Sequence, residues 1–122
     1  MIVYVATPSQ FDRAFALWAD QAPDARAARH RRALARVFAA FMASASAQAL
    51  RNARSGLFSF VAEDAAAALE RWRDDEIARN PGHEAAIREW IAELEALLTR
   101  GTWGNEFKLL VRECLQDDEA AA

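Results

Sequence analysis

The hydrophobic pattern is clearest between His83 and Arg100, where it predicts an amphipathic helix that Gly101 closes. Large apolar residues recur there at steps of three and four positions, which places them on one side of a helix with about 100° per residue. These residues are Ile87, Trp90, Ile91, Leu94, Leu97 and Leu98. The other side carries Glu84, Glu89, Glu93 and Glu95. The segment therefore combines a wall of the core with an acidic surface.

The same spacing predicts a helix over residues 8–21. Thr7 is the expected N-cap, Pro8 occupies the first helical position, and Gln10 completes a capping box. The expected inner residues are Phe11, Ala14, Phe15 and Trp18. Ala22-Pro23 ends this helix because the residue before a proline avoids the α region.

A longer helical pattern runs from Asp24, which we expect to be either its cap or a first-turn acid, to Asn52. It can break at Ser44–Ser46, where helix propensity is weaker. Its inner side holds Leu34, Val37, Phe38, Phe41 and Ala45. The opposite side holds Arg26, Arg29, Arg32 and Arg36. The pattern predicts one long amphipathic helix with a potential break.

Two further helices are expected. One covers residues 63–79, with acids in its first turn and a thin inner stripe of Ala65, Ala68, Leu69 and Trp72. Asn80 and Pro81 then start the helix of residues 83–100 as cap and first residue. After a loop, the last helix covers residues 106–116, with Phe107, Leu110, Val111 and Cys114 inward.

Residues 2–5 and 57–61 are short and β-prone, so we expect both to be extended. Two strands alone cannot form a domain. The predicted fold class is therefore mainly α: a single-domain bundle of five or six helices, with a small two-stranded element formed by these two stretches.

A chain of 122 residues suffices for one core, so we expect a single helical domain over residues 1–122. Its tail should fray from about residue 117, because Asp117, Asp118 and Glu119 oppose the helix dipole. Cys114 is the only cysteine, and the opening apolar run is too short for a leader or a membrane span. We therefore expect a cytoplasmic protein without a membrane partner.

The net charge of -3 conceals an asymmetry between the two halves of the chain. Residues 1–61 hold eight basic and three acidic residues, whereas residues 62–122 hold seven basic and fifteen acidic residues. The opposite charges can neutralise each other across helix contacts, or they can form a charged docking surface.

The residues needed for common chemistries are absent from this sequence. His30 and His83 are the only histidines, and neither has a second ligand at helical spacing that could share a zinc ion. Arg26-to-His30 and Arg79-to-His83 resemble the Arg-to-His pair of HEPN-type ribonucleases, but fewer residues intervene than in that family's motif. No nucleophile elbow or phosphate-binding loop is present. We expect no enzyme, no cofactor and no metal site.

Two charged surfaces remain as candidate binding sites. The Arg26–Arg36 side could follow a nucleic-acid backbone, although nucleic acid is an unfavoured partner for an acidic protein. The alternative is an acidic surface on residues 63–95 that imitates phosphates and docks into a basic cleft, with two tryptophans as anchors. Its candidate residues are Glu63, Asp64, Glu70, Trp72, Asp74, Asp75, Glu89, Glu93 and Trp103. In either case the simpler reading is a solvated helix surface, and tryptophans often close the end of a bundle.

A small, acidic, Ala- and Arg-rich domain with acidic helices between Glu63 and Glu95 and no active-site motif resembles the immunity proteins of bacterial toxin–immunity pairs. The resemblance is to those of contact-dependent growth inhibition systems. It implies a cytoplasmic protein that binds one cognate toxin, often a nuclease, and blocks its active site or substrate surface. The other readings are a nucleic-acid-binding regulator and an adaptor that homodimerises through helices.

Overall fold

The computed structural model describes the backbone of residues 3–100 and the side chains of residues 7–60 and 63–98. The elements in chain order are β1 (Val3–Ala6), α1 (Pro8–Asp20), α2 (Ala25–Met42), α3 (Ala45–Gln48), β2 (Phe58–Val61), α4 (Ala62–Arg79), a 3₁₀ turn (Pro81–His83) and α5 (Glu84–Arg100). The predicted mainly helical fold is confirmed. Trp103, the predicted helix of residues 106–116 and the frayed tail lie outside the described residues.

Polar side chains begin α1 and α2 as expected. The Thr7 hydroxyl accepts a hydrogen bond from the Gln10 amide at 3.2 Å, while the Gln10 side chain accepts one from the Thr7 amide at 2.8 Å. The Asp24 carboxylate accepts a hydrogen bond from the Ala27 amide at 2.8 Å. Each contact satisfies a backbone donor that the first turn leaves without an intrahelical partner.

The long helix predicted over residues 24–52 is divided, and its last part is not helical. The Ser44 hydroxyl bonds the Phe41 carbonyl at 2.5 Å and accepts from the Ala47 amide at 3.2 Å, so it both ends α2 and caps α3. The new helix turns Ala47 into the core and leaves Ala45 exposed, contrary to our expectation. After α3, the Asn52 side chain accepts from the amides of residues 54 and 55 and starts a turn.

The connection from α4 to α5 also differs from the prediction. The Asn80 side chain makes no capping hydrogen bond to the turn that follows it. It donates instead to the Glu76 carbonyl at 3.2 Å, which also accepts a hydrogen bond from the Asn80 amide at 2.9 Å. Residues Pro81–His83 form a 3₁₀ turn, and α5 begins at Glu84.

The core is an aromatic cluster that joins α1, α2 and β2. The Phe38 ring lies 5.3 Å from that of Phe11, 4.9 Å from that of Phe15 and 5.8 Å from that of Phe60. Strand β2 pairs antiparallel with β1, and its Phe58 and Phe60 side chains are both buried, as the period of two along a strand requires. The hairpin of α4 and α5 closes the core with Ala65, Ala68, Leu69, Trp72, Ile91, Leu94, Leu97 and Leu98.

Leu94→Ala should lower the free energy of unfolding by about 2–5 kcal/mol, because Leu94 is fully buried and its truncation leaves a cavity. Urea denaturation measures the loss. The matched control is Leu17→Ala on α1, where 38% of the residue is exposed and the cost should stay near or below about 0.5 kcal/mol. A loss below about 0.5 kcal/mol for Leu94→Ala would show that the inner side of α5 is misassigned.

Candidate protein-binding surface

Helix α4 carries a row of acidic residues on the side that faces away from the core. Glu63, Glu70 and Asp74 are spaced by seven and four positions and therefore lie within about 40° of one another around the helix axis. All three are exposed, whereas Ala68 and Leu69 on the opposite side are fully buried. We call Glu63, Glu70 and Asp74 the acidic ridge.

Basic residues reduce the charge around this ridge. The Arg73 guanidinium contacts the Asp74 carboxylate at 3.1 Å, and Arg79 donates to Glu76 at 2.6 Å. By helical spacing, Asp64 and Asp75 form a second exposed row beside the ridge, with Arg71 between them. Helix α4 as a whole has six acidic and three basic residues, so its surface remains negative.

Trp72 does not belong to this surface. The residue is only 6% exposed, and its ring lies 5.5 Å from that of Phe41 in the core. An indole buried in this way cannot be the exposed anchor that the sequence suggested, so Trp72 is corrected to a core residue. Trp103, the other predicted anchor, lies outside the described residues.

The assignment of Glu93 to the binding surface is also corrected, because its carboxylate is hydrogen-bonded within the protein. The His30 ring on α2 donates from Nε2 to Glu93 on α5 at 2.6 Å and stacks on Trp90 with 5.2 Å between ring centres. The two side chains are 43% and 27% exposed, respectively. Glu93 therefore links α5 to α2, and reversing its charge would break this contact.

Glu89 is exposed, but the structure does not place it on the acidic ridge. It lies on α5, one helical turn before Glu93. Glu84 at the start of α5 lies 3.7 Å from Arg88. The nine predicted site residues thus separate into the ridge, the flanking pair Asp64 and Asp75, the isolated Glu89, the corrected Trp72 and Glu93, and the undescribed Trp103.

On α2, Arg26, Arg29, Arg32 and Arg36 are all exposed, which agrees with their expected outward side. Arg31 is different, and the sequence analysis missed it. It is 8% exposed, donates to the Trp18 carbonyl at 2.7 Å and lies over the Trp18 ring at 4.6 Å. Its spacing of three from Leu34 and seven from Phe38 was the available signal, because that spacing puts it on the inner side.

A groove of about 440 Å³ opens between α2, α4 and the first half of α5. Most of its lining is apolar, with Arg36 and Glu76 at its edges. It is lined by Ala33, Arg36, Val37, Ala40, Trp72, Glu76, Ala86, Ile87, Trp90 and Ile91. We call it the α2–α5 groove. Periodicity could not reveal it, because a groove depends on where neighbouring helices diverge.

Within residues 3–100, no three His, Cys, Asp or Glu side chains are grouped so that they could hold a metal ion. None of the helices in that part of the chain combines the length and apolarity needed to cross a bilayer. Comparison with models of known protein families, with curated protein sequences and with solved structures finds no significant match for this chain.

Glu93→Ala should lower the free energy of unfolding by about 0.2–1 kcal/mol, because it removes the partly exposed contact to His30. Urea denaturation near neutral pH measures the change. Glu89→Ala, four residues earlier on the same helix, is the control and should have a smaller effect. Equal losses for the two variants would mean that the contact between His30 and Glu93 adds nothing to the free energy of unfolding.

Proposed function

We propose that this protein is an immunity protein that binds a basic toxin, a nuclease in the first instance, and blocks its substrate surface. The acidic ridge of α4 is the observation that carries the proposal. Glu63, Glu70 and Asp74 are exposed together on one side of a helix. The cytoplasm is the compartment in which such an inhibitor would act.

Electrostatics supports the pairing of the acidic ridge with the cleft of a nuclease. A nuclease binds phosphates with basic side chains, so its cleft presents a positive potential that an acidic helix complements. Along the helix axis, Glu70 lies about 10 Å from Glu63 and about 6 Å from Asp74. The ridge thus presents three carboxylates over a length comparable to a few nucleotides.

The packing of α4 supports the same role, because a binding surface is more effective on a rigid element. Ala65, Ala68 and Leu69 are fully buried under the ridge and hold the helix against the core. The backbone positions of these three residues are therefore fixed before a partner arrives, and less backbone entropy is lost on binding.

The double variant Glu70→Lys with Asp74→Lys should slow association with the toxin by about tenfold or more at low salt, and by less at high salt. Surface plasmon resonance on the toxin, recovered from the native host by pull-down and identified by mass spectrometry, measures the rate. Asp12→Lys with Asp20→Lys is the control, because it changes the net charge equally on exposed positions of α1.

Inhibition is tested separately, by adding the protein in equimolar amount to the recovered toxin and following cleavage of RNA and DNA. Loss of cleavage supports the proposal, and so does a gene for a large secreted toxin directly upstream. Undiminished cleavage by a bound nuclease contradicts it. Equal effects of the ridge variant and the α1 control on association would show that the ridge is not the contact.

The alternative is a nucleic-acid-binding regulator, and the exposure of all four arginines along α2 favours it. If Arg26, Arg29, Arg32 and Arg36 contact phosphates, the logarithm of the affinity should fall with the logarithm of salt concentration with a slope of about -3 to -4. Gel-shift titration with duplex DNA measures the slope. A steep slope without any protein partner would replace the immunity proposal, whereas absence of binding at low salt would remove the alternative.

A further inference from the structure

The α2–α5 groove exposes apolar surface between three helices. Helix α2 forms one bank of the groove, and α4 and α5 form the other. Its most buried lining residues are Trp72 and Ile91, at 6% and 3% exposure, while Val37, Ile87 and Trp90 are partly buried. The volume of about 440 Å³ lies within the range of small-molecule sites, about 300–1,000 Å³, which often lie between the helices of a bundle. The groove therefore suits a small ligand.

The extent of the groove also favours a small ligand over a protein. Ten of the described residues line it. A stable protein complex needs about 20–30 residues from each partner. The groove alone is therefore too small to hold a protein, whereas its lining is large enough to cover most of a small molecule.

The two tryptophans of the groove are held in place by contacts outside it. The Trp90 ring stacks on the His30 ring with 5.2 Å between ring centres and 20° between ring planes, and the Glu93 carboxylate holds His30 at 2.6 Å. The Trp72 ring lies 5.5 Å from that of Phe41 in the core. The aromatic lining is therefore formed before a ligand arrives, and less entropy is lost on binding.

The lining carries one positive charge that is not neutralised. Arg36 and Glu76 are the charged residues among the described side chains that line the groove. Glu76 accepts a hydrogen bond from Arg79 at 2.6 Å, so its charge is offset. Arg36 is exposed and has no hydrogen-bond or ion-pair partner among the side chains that the structure describes. A guanidinium in this state can bind a carboxylate through two parallel hydrogen bonds.

We propose that the α2–α5 groove binds the anion of an aliphatic acid, with its chain against the tryptophans and its carboxylate on Arg36. An extended chain fits the shape of the site. The lining residues of α2 run from Ala33 to Ala40, which spans about 10 Å along the helix axis. Since Arg36 is exposed, the carboxylate can stay partly hydrated while the chain leaves water.

A second groove of about 440 Å³, between α1 and α2, is a weaker candidate for this ligand. It shares Arg36 with the first groove and adds Arg32 and Asp12. Phe15 is the one large apolar residue among its described lining residues, and four of the others are alanines. An aliphatic chain would therefore contact fewer apolar atoms there than between Trp72 and the isoleucines of α5.

The ligand site does not depend on the proposed immunity function, because the two use different sides of α4. Trp72 lies at the groove, whereas the acidic ridge lies about 160–180° away from it around the helix axis. Binding of an aliphatic acid and binding of a toxin can therefore be measured separately, and failure of one leaves the other untouched.

The test is titration of the purified full chain with decanoate, followed by the indole N–H signals in a ¹H–¹⁵N correlation spectrum. The signals of Trp72 and Trp90 should shift, and both rings should show nuclear Overhauser contacts with the decanoate chain. The signal of Trp18 is the control, because Trp18 lines neither groove. Decanoate should bind about tenfold more tightly than octanoate, since each fully buried methylene contributes about fourfold.

Arginine variants test the role of the carboxylate. Arg36→Gln should raise the dissociation constant of decanoate by about threefold to tenfold. Arg32→Gln is the matched control, because Arg32 is also exposed on α2 but does not line this groove. Octanol has the chain of octanoate without its charge, so it should bind more weakly than octanoate and should not respond to Arg36→Gln. Circular dichroism confirms that each variant is folded.

Three results would overturn the proposal. The first is the absence of any shift of the Trp72 and Trp90 signals up to about 1 mM decanoate. The second is a set of decanoate contacts with Phe15 and Ala39, which would place the ligand in the groove between α1 and α2. The third is equal binding of octanol and octanoate, or equal effects of Arg36→Gln and Arg32→Gln, because either would show that Arg36 does not hold the carboxylate.

Discussion

The fold depends on the position of one aromatic ring, that of Phe38 on α2. It touches Phe11 and Phe15 of α1, Phe41 of its own helix and Phe60 of β2, with ring centres 4.9–6.4 Å apart. Aromatic pairs in this range add to the stabilisation that comes from burial alone. Because a two-stranded sheet is only marginally stable by itself, the burial of Phe58 and Phe60 adds to the hydrogen bonds that hold β2 in place.

With the inner side of α2 committed to this cluster, its outer side is left exposed. The same helix carries exposed arginines and one bank of the α2–α5 groove. Helix α4 is divided in the same way, since its inner alanines and Leu69 pack and its outer carboxylates face solvent. The protein thus has three distinct surfaces, namely the acidic ridge, the arginine row and the groove, on a small number of rigid helices.

Much of the fold could be predicted because apolar spacing reports which side of a helix is inward. The inner residues of α1, α4 and α5 follow from this spacing, whereas the caps at Thr7 and Asp24 follow from the polar residue types at those positions. The contact between His30 and Glu93 could not be predicted, because it joins residues 63 positions apart and depends on how α5 crosses α2. Spacing placed Trp72 on the inner stripe of α4, but it could not show how completely the core would cover that side chain. The interpretation of Trp72 as an exposed anchor is therefore corrected.

The central claim is that the acidic ridge of α4 contacts a basic toxin. Hydrogen–deuterium exchange of the protein, alone and with that toxin, tests it most directly, because backbone amides covered by a partner exchange more slowly. We predict added protection in α4 between Glu63 and Asp74, with α2 unchanged. Added protection confined to α2 between Arg26 and Arg36, with α4 unchanged, would contradict the claim.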